Sequence, residues 1–176
     1  MITWNIDQAH SEIGFRVKHL MISTVRGNFT RFEGSMVLPD EDFTKASVTF
    51  TAETASINTN NAMRDKHLQS PDFFDSVKFP NLSFKSSKIV KKNDTDFLVT
   101  GEFNMHGVTK KIVLNAIFNG TTVDMNKNKV MSFEISGSLS RKDFGLTWNA
   151  PIETGGVTVS DEVKLDISAE LKKVGN

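Results

Sequence analysis

Apolar and polar residues alternate with a period of two along most of this chain of 176 residues. In the first such segment Ile13, Phe15, Val17 and His19 share one face, and the residues between them are mostly charged. Successive side chains of a β-strand point to opposite faces, so this pattern predicts half-buried antiparallel strands. About eight such segments follow one another, most of them joined by short turns, which is typical of a β-sandwich or a β-barrel.

One segment, from Ser56 to Pro80, interrupts the alternation. It is polar and irregular, and residues Asn61 to Gln69 within it predict one short helix. Asn60 or Asn61 could cap this helix, because a side-chain oxygen can accept a hydrogen bond from the first turn. A polar insertion of this kind can close one end of a barrel or form the mouth of a pocket.

The composition excludes several classes of function. Lys plus Arg and Asp plus Glu both number 21, so the formal charge is zero, which argues against a general nucleic-acid-binding protein. Cysteine is absent, which excludes disulfides, thiolate catalysis and cysteine-ligated metals. The chain has 14 phenylalanines and no tyrosine, and such an aromatic content suits a dry interior or an apolar ligand cavity.

The length predicts a single domain over residues 1–176. The N-terminal residues lack the basic and apolar segments of a secretory leader, and no segment approaches the roughly 18 apolar residues that span a bilayer. We therefore expect a cytoplasmic protein without a transmembrane segment, and a periplasmic one only if a leader has been removed.

Sequence motifs spread over nearly the whole chain occur in a fixed order. The longest is R-D-x-H-L-x-S-x-D-F-F-D-x-x-x-F-P at 64–80, and W-x-I-D-x-x-H-S-x-I-x-F-x-V-x-H-L precedes it at 4–20. V-R-G-x-F-x-x-F-E-G lies at 25–34, G-x-F-x-M-H-G-V-T at 101–109, and R-x-D-F-G-L at 141–146. Together they resemble the signature of the YceI-like family of lipid-binding proteins. The resemblance implies an all-β fold, an antiparallel lipocalin-like barrel of about eight strands with one short helical insertion. It also implies a polyisoprenoid or similar amphiphile inside.

Inward-facing apolar side chains of such a barrel would line its interior. Phenylalanine and methionine together make a smooth, deformable wall that suits a long-chain lipid, although each side chain alone could be ordinary core. His19 could instead be a hydrogen-bonded interior residue. The predicted lining residues are Phe15, Val17, His19, Phe29, Phe50, Phe84, Phe103, Phe118 and Phe133.

Polar groups of the insertion are candidate contacts for a lipid head group. Arg64 and His67 are three residues apart and share a helix face, and a guanidinium suits a phosphate. Arg64 could instead pair with Asp72 or Asp75 and hold the insertion over the barrel end. The predicted mouth residues are Arg64, Asp65, His67, Phe74 and Arg141.

The four histidines show no metal-ligand spacing, so we predict no metal site and no cofactor other than a bound lipid. No set of nucleophile, base and orienting group is visible. Together with the family resemblance, which implies the lipid ligand, these observations predict a non-enzymatic protein that binds, transports or stores an isoprenoid, quinone-like or other long-chain lipid.

Other hypotheses stay open at this point. A cyclase or isomerase could use the barrel as a dry reaction chamber, and His19 or Asp65 would then need a perturbed pKa. A stress-related or regulatory protein whose ligand acts as a signal is another possibility, and strand edges could form a homodimer.

Overall fold

The computed structural model describes residues 1–153 and 156–175. These residues form strands, one α-helix and short 3-10 turns. No helix in these two ranges is both long enough and apolar enough to cross a membrane. The elements are β1 (Ile2–Ile6), β2 (Glu12–His19), β3 (Ser23–Phe29), β4 (Phe32–Leu38), β5 (Ser47–Glu53), β6 (Ile57–Asn58), α1 (Ala62–Gln69), β7 (Asn81–Lys91), β8 (Asp96–Met105), β9 (Val108–Val123), β10 (Lys129–Ser140) and β11 (Val159–Lys173).

The strands close into an antiparallel barrel. Hydrogen-bonded neighbours run in the order β1, β4, β5, β7, β8, β9, β10 and β11, and β11 pairs again with β1. The long strand β11 contacts two strands on one side, because residues 171–173 pair with β1 and residues 163–168 pair with β2. β3 and β6 extend the sheet beyond β2. The expected eight-stranded antiparallel barrel with a helical insertion is thus confirmed within the described ranges.

The alternation from Gly27 to Leu38 predicts one strand with an irregularity at Thr30 and Arg31, and this prediction is wrong. The structure has two strands, β3 and β4, which pair with different neighbours. The backbone N–H of Thr30 donates to the Ser56 carbonyl and that of Arg31 donates to the Ser56 hydroxyl. These hydrogen bonds replace strand pairing at Thr30 and Arg31. The chain leaves the β2–β3 hairpin there and enters β4, one of the eight strands of the closed barrel.

An aromatic cluster fills one end of the barrel. Phe43 lies in the 3-10 turn between β4 and β5. Its ring centroid is 5.5 Å from that of Phe97, 5.0 Å from Phe118 and 5.6 Å from Phe133. Edge contacts between aromatic rings stabilise the fold in addition to the stabilisation from burying their apolar area. The four rings close this end of the barrel with apolar side chains.

The insertion between β6 and β7 covers the opposite end. As predicted, Asn61 caps α1, since its Oδ1 accepts a hydrogen bond from the Arg64 N–H at 3.0 Å. The turn after the helix buries Phe73 to 6% exposure. The Phe73 ring lies 5.3 Å from Trp148, in the loop after β10, so two separate segments meet over this end.

Candidate functional site

The barrel encloses a cavity of about 270 Å³. Close-packed interiors leave few voids larger than a water molecule, which itself needs only about 10–15 Å³. The void is therefore far too large to be a packing defect. Among its described lining residues Arg141 is the one titratable side chain, and Ser35 and Thr49 are the only other polar ones.

Most of the predicted lining residues lie at the cavity wall. The inward positions of β2, β3, β5, β7, β8 and β10 carry them. Phe74, predicted at the mouth, also contributes to the wall, and its ring meets that of Phe29 edge-on at 5.7 Å. The predicted residues found at the wall are Phe15, Val17, Phe29, Phe50, Phe84, Phe103 and Phe133.

Two predicted lining residues, His19 and Phe118, lie outside the cavity. His19 is half-buried in the last pair of the β2–β3 hairpin, opposite Ser23. The ring of Phe118 belongs to the aromatic cluster, 5.0 Å from Phe43 and 5.3 Å from Phe133. A period of two gives the face on which a side chain lies but not its height along the barrel, so the sequence misplaces both residues.

Sequence reasoning missed the aliphatic part of the wall. These side chains alternate along the strands as the phenylalanines do, so the period-two pattern is the signal that identifies them. They include Ile6, Ile13, Ile57, Leu82, Val99, Ile112, Leu114, Ile135, Leu139, Val163, Leu165 and Ile167.

Arg64 and Asp65 bind the start of the insertion and do not line the cavity. Arg64 donates from Nε to the Thr59 hydroxyl and from Nη2 to the Thr59 carbonyl. Asp65 Oδ1 accepts from the Thr59 N–H at 2.8 Å and from its hydroxyl at 2.5 Å. The specific pairing of Arg64 with Asp72 or Asp75 is wrong, yet Arg64 does hold the insertion in place.

His67 joins the insertion to the loop after β10. Its Nε2 lies 2.8 Å from Asp72 Oδ2. Its ring makes edge contacts with Phe73 at 5.1 Å and with Trp148 at 4.9 Å. His67 is not at the cavity wall, but it contacts the wall residue Phe73.

Arg141 brings one positive charge to the cavity wall at only 3% exposure. Its Nη1 donates to the carbonyls of Leu146 and Trp148, each at 2.8 Å. Nε donates to Ser160 at 2.9 Å and Nη2 to Val159 at 3.2 Å, again to carbonyls. Burial lowers the pKa of the guanidinium, because desolvation disfavours its charged form.

The charge of Arg141 has no carboxylate in direct contact within the described chain. The nearby carboxylate of Asp161 accepts from the Ser140 hydroxyl and the Lys142 N–H instead. A guanidinium carries five N–H groups, and four of those of Arg141 donate to carbonyls. One N–H on Nη2 therefore has no acceptor among the described residues.

The sequence and the fold both match known proteins. The family model of the YceI-like domain matches residues 4–171. A UPF0312 protein of Staphylococcus aureus is 34% identical over 171 residues, 97% of each chain. The Campylobacter jejuni YceI protein is 33% identical over 96% of both chains, with a TM-score of 0.77. A polyisoprenoid binding domain from Saccharophagus degradans is 15% identical over 99% of this chain and 100% of that one, with a TM-score of 0.72. The chain described here belongs to the YceI-like family.

Proposed function

We propose that this protein binds one long apolar amphiphile, of the polyisoprenoid or quinone-like class, inside its barrel and transports or stores it. The observation that carries the proposal is the apolar cavity of about 270 Å³. Each methylene removed from water contributes about 0.8 kcal/mol, so a long chain needs few polar contacts to be held. The polyisoprenoid binding domain of S. degradans has the same fold, which supports this class of ligand.

The polar end of the ligand faces Arg141. This guanidinium is the one charged group at the wall among the described residues. The wall presents almost no polar surface to the cavity, so an oxygen of the ligand would reach the remaining Nη2 N–H by displacing a neighbouring apolar side chain. In a low-dielectric cavity such a bond is stronger than in water. The apolar tail then extends toward the aromatic cluster around Phe43, which closes the other end.

The wall supports a binding protein more strongly than an enzyme. A cyclase or isomerase would need an acid or base within reach of its substrate. His19 lies outside the cavity, and Asp65 is bound to Thr59. Arg141 keeps its protons at ordinary pH, so the described wall offers no group for proton transfer.

A cavity-filling variant tests the proposal. Ala169 is buried and lines the cavity, and Ala169→Leu adds three carbon atoms to the space that the ligand would occupy. Ala55→Leu makes the same change at an exposed position away from the cavity and is the matched control. The probe is tritium-labelled geranylgeraniol added in detergent and measured after gel filtration.

We expect Ala169→Leu to retain the probe at least ten-fold less well than Ala55→Leu and wild type. The circular dichroism spectrum and the unfolding midpoint should stay near those of wild type, because the added carbons enter an existing void. Equal retention by both folded variants would overturn an interior site.

A further inference from the structure

The turn between β2 and β3 carries three exposed apolar side chains. Leu20, Met21 and Ile22 are 37%, 56% and 86% exposed. The backbone φ is 51° at Leu20 and 63° at Met21, in the left-handed region where turns usually carry Asn, Asp or Gly. Two apolar residues therefore occupy positions that the backbone disfavours for them, which points to a role for their side chains.

The stem of this hairpin is basic on its outward face. Arg16 lies opposite Arg26, and Lys18 lies opposite Thr24. The charge of Arg16 is paired with Asp166 at 2.9 Å. Lys18 and Arg26 are exposed, and neither forms an ion pair within residues 1–153 and 156–175. Two cations thus lie directly behind the apolar turn.

The turn is located at the end of the barrel that the insertion covers. The Leu20 N–H donates to the Thr158 carbonyl at 3.0 Å, and His19 pairs with Val159. Val159 lines the cavity, so the turn directly adjoins the cavity wall. Further exposed apolar side chains at this end belong to the insertion, namely Met63 at 86% and Val77 at 97% exposure.

We propose that this hairpin turn docks on an anionic lipid surface. Leu20, Met21 and Ile22 would enter the head-group region, while Lys18 and Arg26 contact lipid phosphates. Apolar side chains backed by cations bind such surfaces by burial and electrostatic attraction together. The inference rests on the proposed function, because it identifies the surface from which the barrel would take its lipid and to which it would return it.

The test measures co-sedimentation of the full-length protein with vesicles. One set of vesicles is phosphatidylcholine alone, and the other contains about one third phosphatidylglycerol. The variant Leu20→Asn, Met21→Gly, Ile22→Ser replaces the apolar turn with residues that suit its backbone, so it should fold at least as well as wild type. The matched control is Val123→Ser, Met125→Ser, at exposed apolar residues of 57% and 100% exposure near the β9–β10 turn.

We expect wild type and control to bind the anionic vesicles at least ten-fold more tightly than the turn variant. The double variant Lys18→Gln, Arg26→Gln should lose the preference for anionic over neutral vesicles. Equal sedimentation of the turn variant and wild type, or no sedimentation of either, would overturn the inference. A wild-type dimer in light scattering that the turn variant dissociates, without vesicle binding, would also overturn it and would assign the turn to self-association.

Retention of geranylgeraniol delivered in detergent separates this inference from the proposed function. The turn variant should retain the probe as wild type does, because the cavity is unchanged. If wild type binds vesicles but retains no probe, the proposed function fails and the docking surface stands.

Discussion

Arg64 and Thr59 are joined by two hydrogen bonds, of 2.8 Å from Nε to the hydroxyl and 2.7 Å from Nη2 to the carbonyl. Thr59 is 4% exposed and also donates twice to Asp65. The three residues therefore form a closed unit between β6 and α1. This unit fixes the insertion over the cavity without touching its interior.

Replacing Arg64 with Met should loosen that unit. Hydrogen bonds from a charged donor contribute about 1.5–3 kcal/mol each. Because Arg64→Met removes two of them, we expect the free energy of unfolding to fall by about 3 kcal/mol or more. Urea denaturation measures it, with Lys66→Met on an exposed position of the same helix as the control. A head-group role for Arg64 would instead appear as unchanged stability with lost lipid retention.

Gly101→Ala should destabilise the barrel. A Cβ at this position would lie 2.4 Å from the Lys85 carbonyl oxygen and 2.5 Å from the Phe84 ring, so β7 and β8 must separate. Overpacking of this kind costs about 1–3 kcal/mol. At Gly137 the added methyl would meet the flexible end of Leu114 at 2.8 Å, and Gly137→Ala should cost less. Thermal unfolding compares the two, and an equal or reversed order would contradict the close approach at Gly101.

Acid should weaken the contact between the β1–β2 connection and β11. Hydrogen bonds from Lys172, at 2.7 Å, and His10 hold the pKa of Asp7 at about 2, below its ordinary 3.8. Because the folded-state pKa is the lower one, ionised Asp7 stabilises the protein above about pH 4, and that stabilisation is lost as the pH falls toward 2. His10 is protonated throughout this range and does not contribute to the change.

The variant Asp7→Asn isolates this effect. At neutral pH it should be less stable than wild type by about 1 kcal/mol, and the difference should shrink between pH 4 and 2. Urea unfolding at pH 6, 4 and 2.5 measures the difference. A difference that stays constant with pH would show that Asp7 contributes through its shape or its cap on Ala9 instead of its charge.

Arg141 should make the cavity prefer a ligand with a negatively charged head group over one with a neutral head group. We expect wild type to retain geranylgeranoic acid several-fold better than geranylgeraniol, because a carboxylate compensates the buried charge. Arg141→Gln removes the charge, and its amide can still donate to some of the four carbonyls that surround Arg141. The variant should therefore abolish that preference. The variant also loses hydrogen bonds, which could lower the retention of both probes. The informative quantity is therefore the amount of geranylgeranoic acid retained divided by the amount of geranylgeraniol retained. An unchanged ratio in folded Arg141→Gln would place the polar end elsewhere.

The amino-acid sequence predicts much of this architecture, for identifiable reasons. Alternation identifies strands and their inward faces, and the amide of Asn61 marks the helix start. Closure of the strands into a barrel came from the family resemblance, because alternation alone fits a sandwich equally well. The heights of His19 and Phe118 depend on strand tilt and on the Phe43 turn, which no local pattern encodes.

The roles of the charged residues were harder to predict. The partner of Arg64 is the backbone and hydroxyl of Thr59, whose position depends on how β6 pairs with β3. The four carbonyls around Arg141 come from the loop after β10 and from the start of β11, which only the folded barrel brings together. Charge spacing in the sequence suggested carboxylate partners for Arg64, whereas the structure supplies a hydroxyl and a carbonyl.

Native mass spectrometry of the purified protein, followed by solvent extraction, shows whether the barrel carries a lipid. We expect a mass above that of the polypeptide, by the mass of one ligand, and an extract that contains an isoprenoid or quinone-like lipid. Ala169→Leu should carry less of this ligand than Ala55→Leu. A mass equal to that of the polypeptide, together with no uptake of geranylgeraniol or geranylgeranoic acid, would show that the barrel does not bind a lipid of this class.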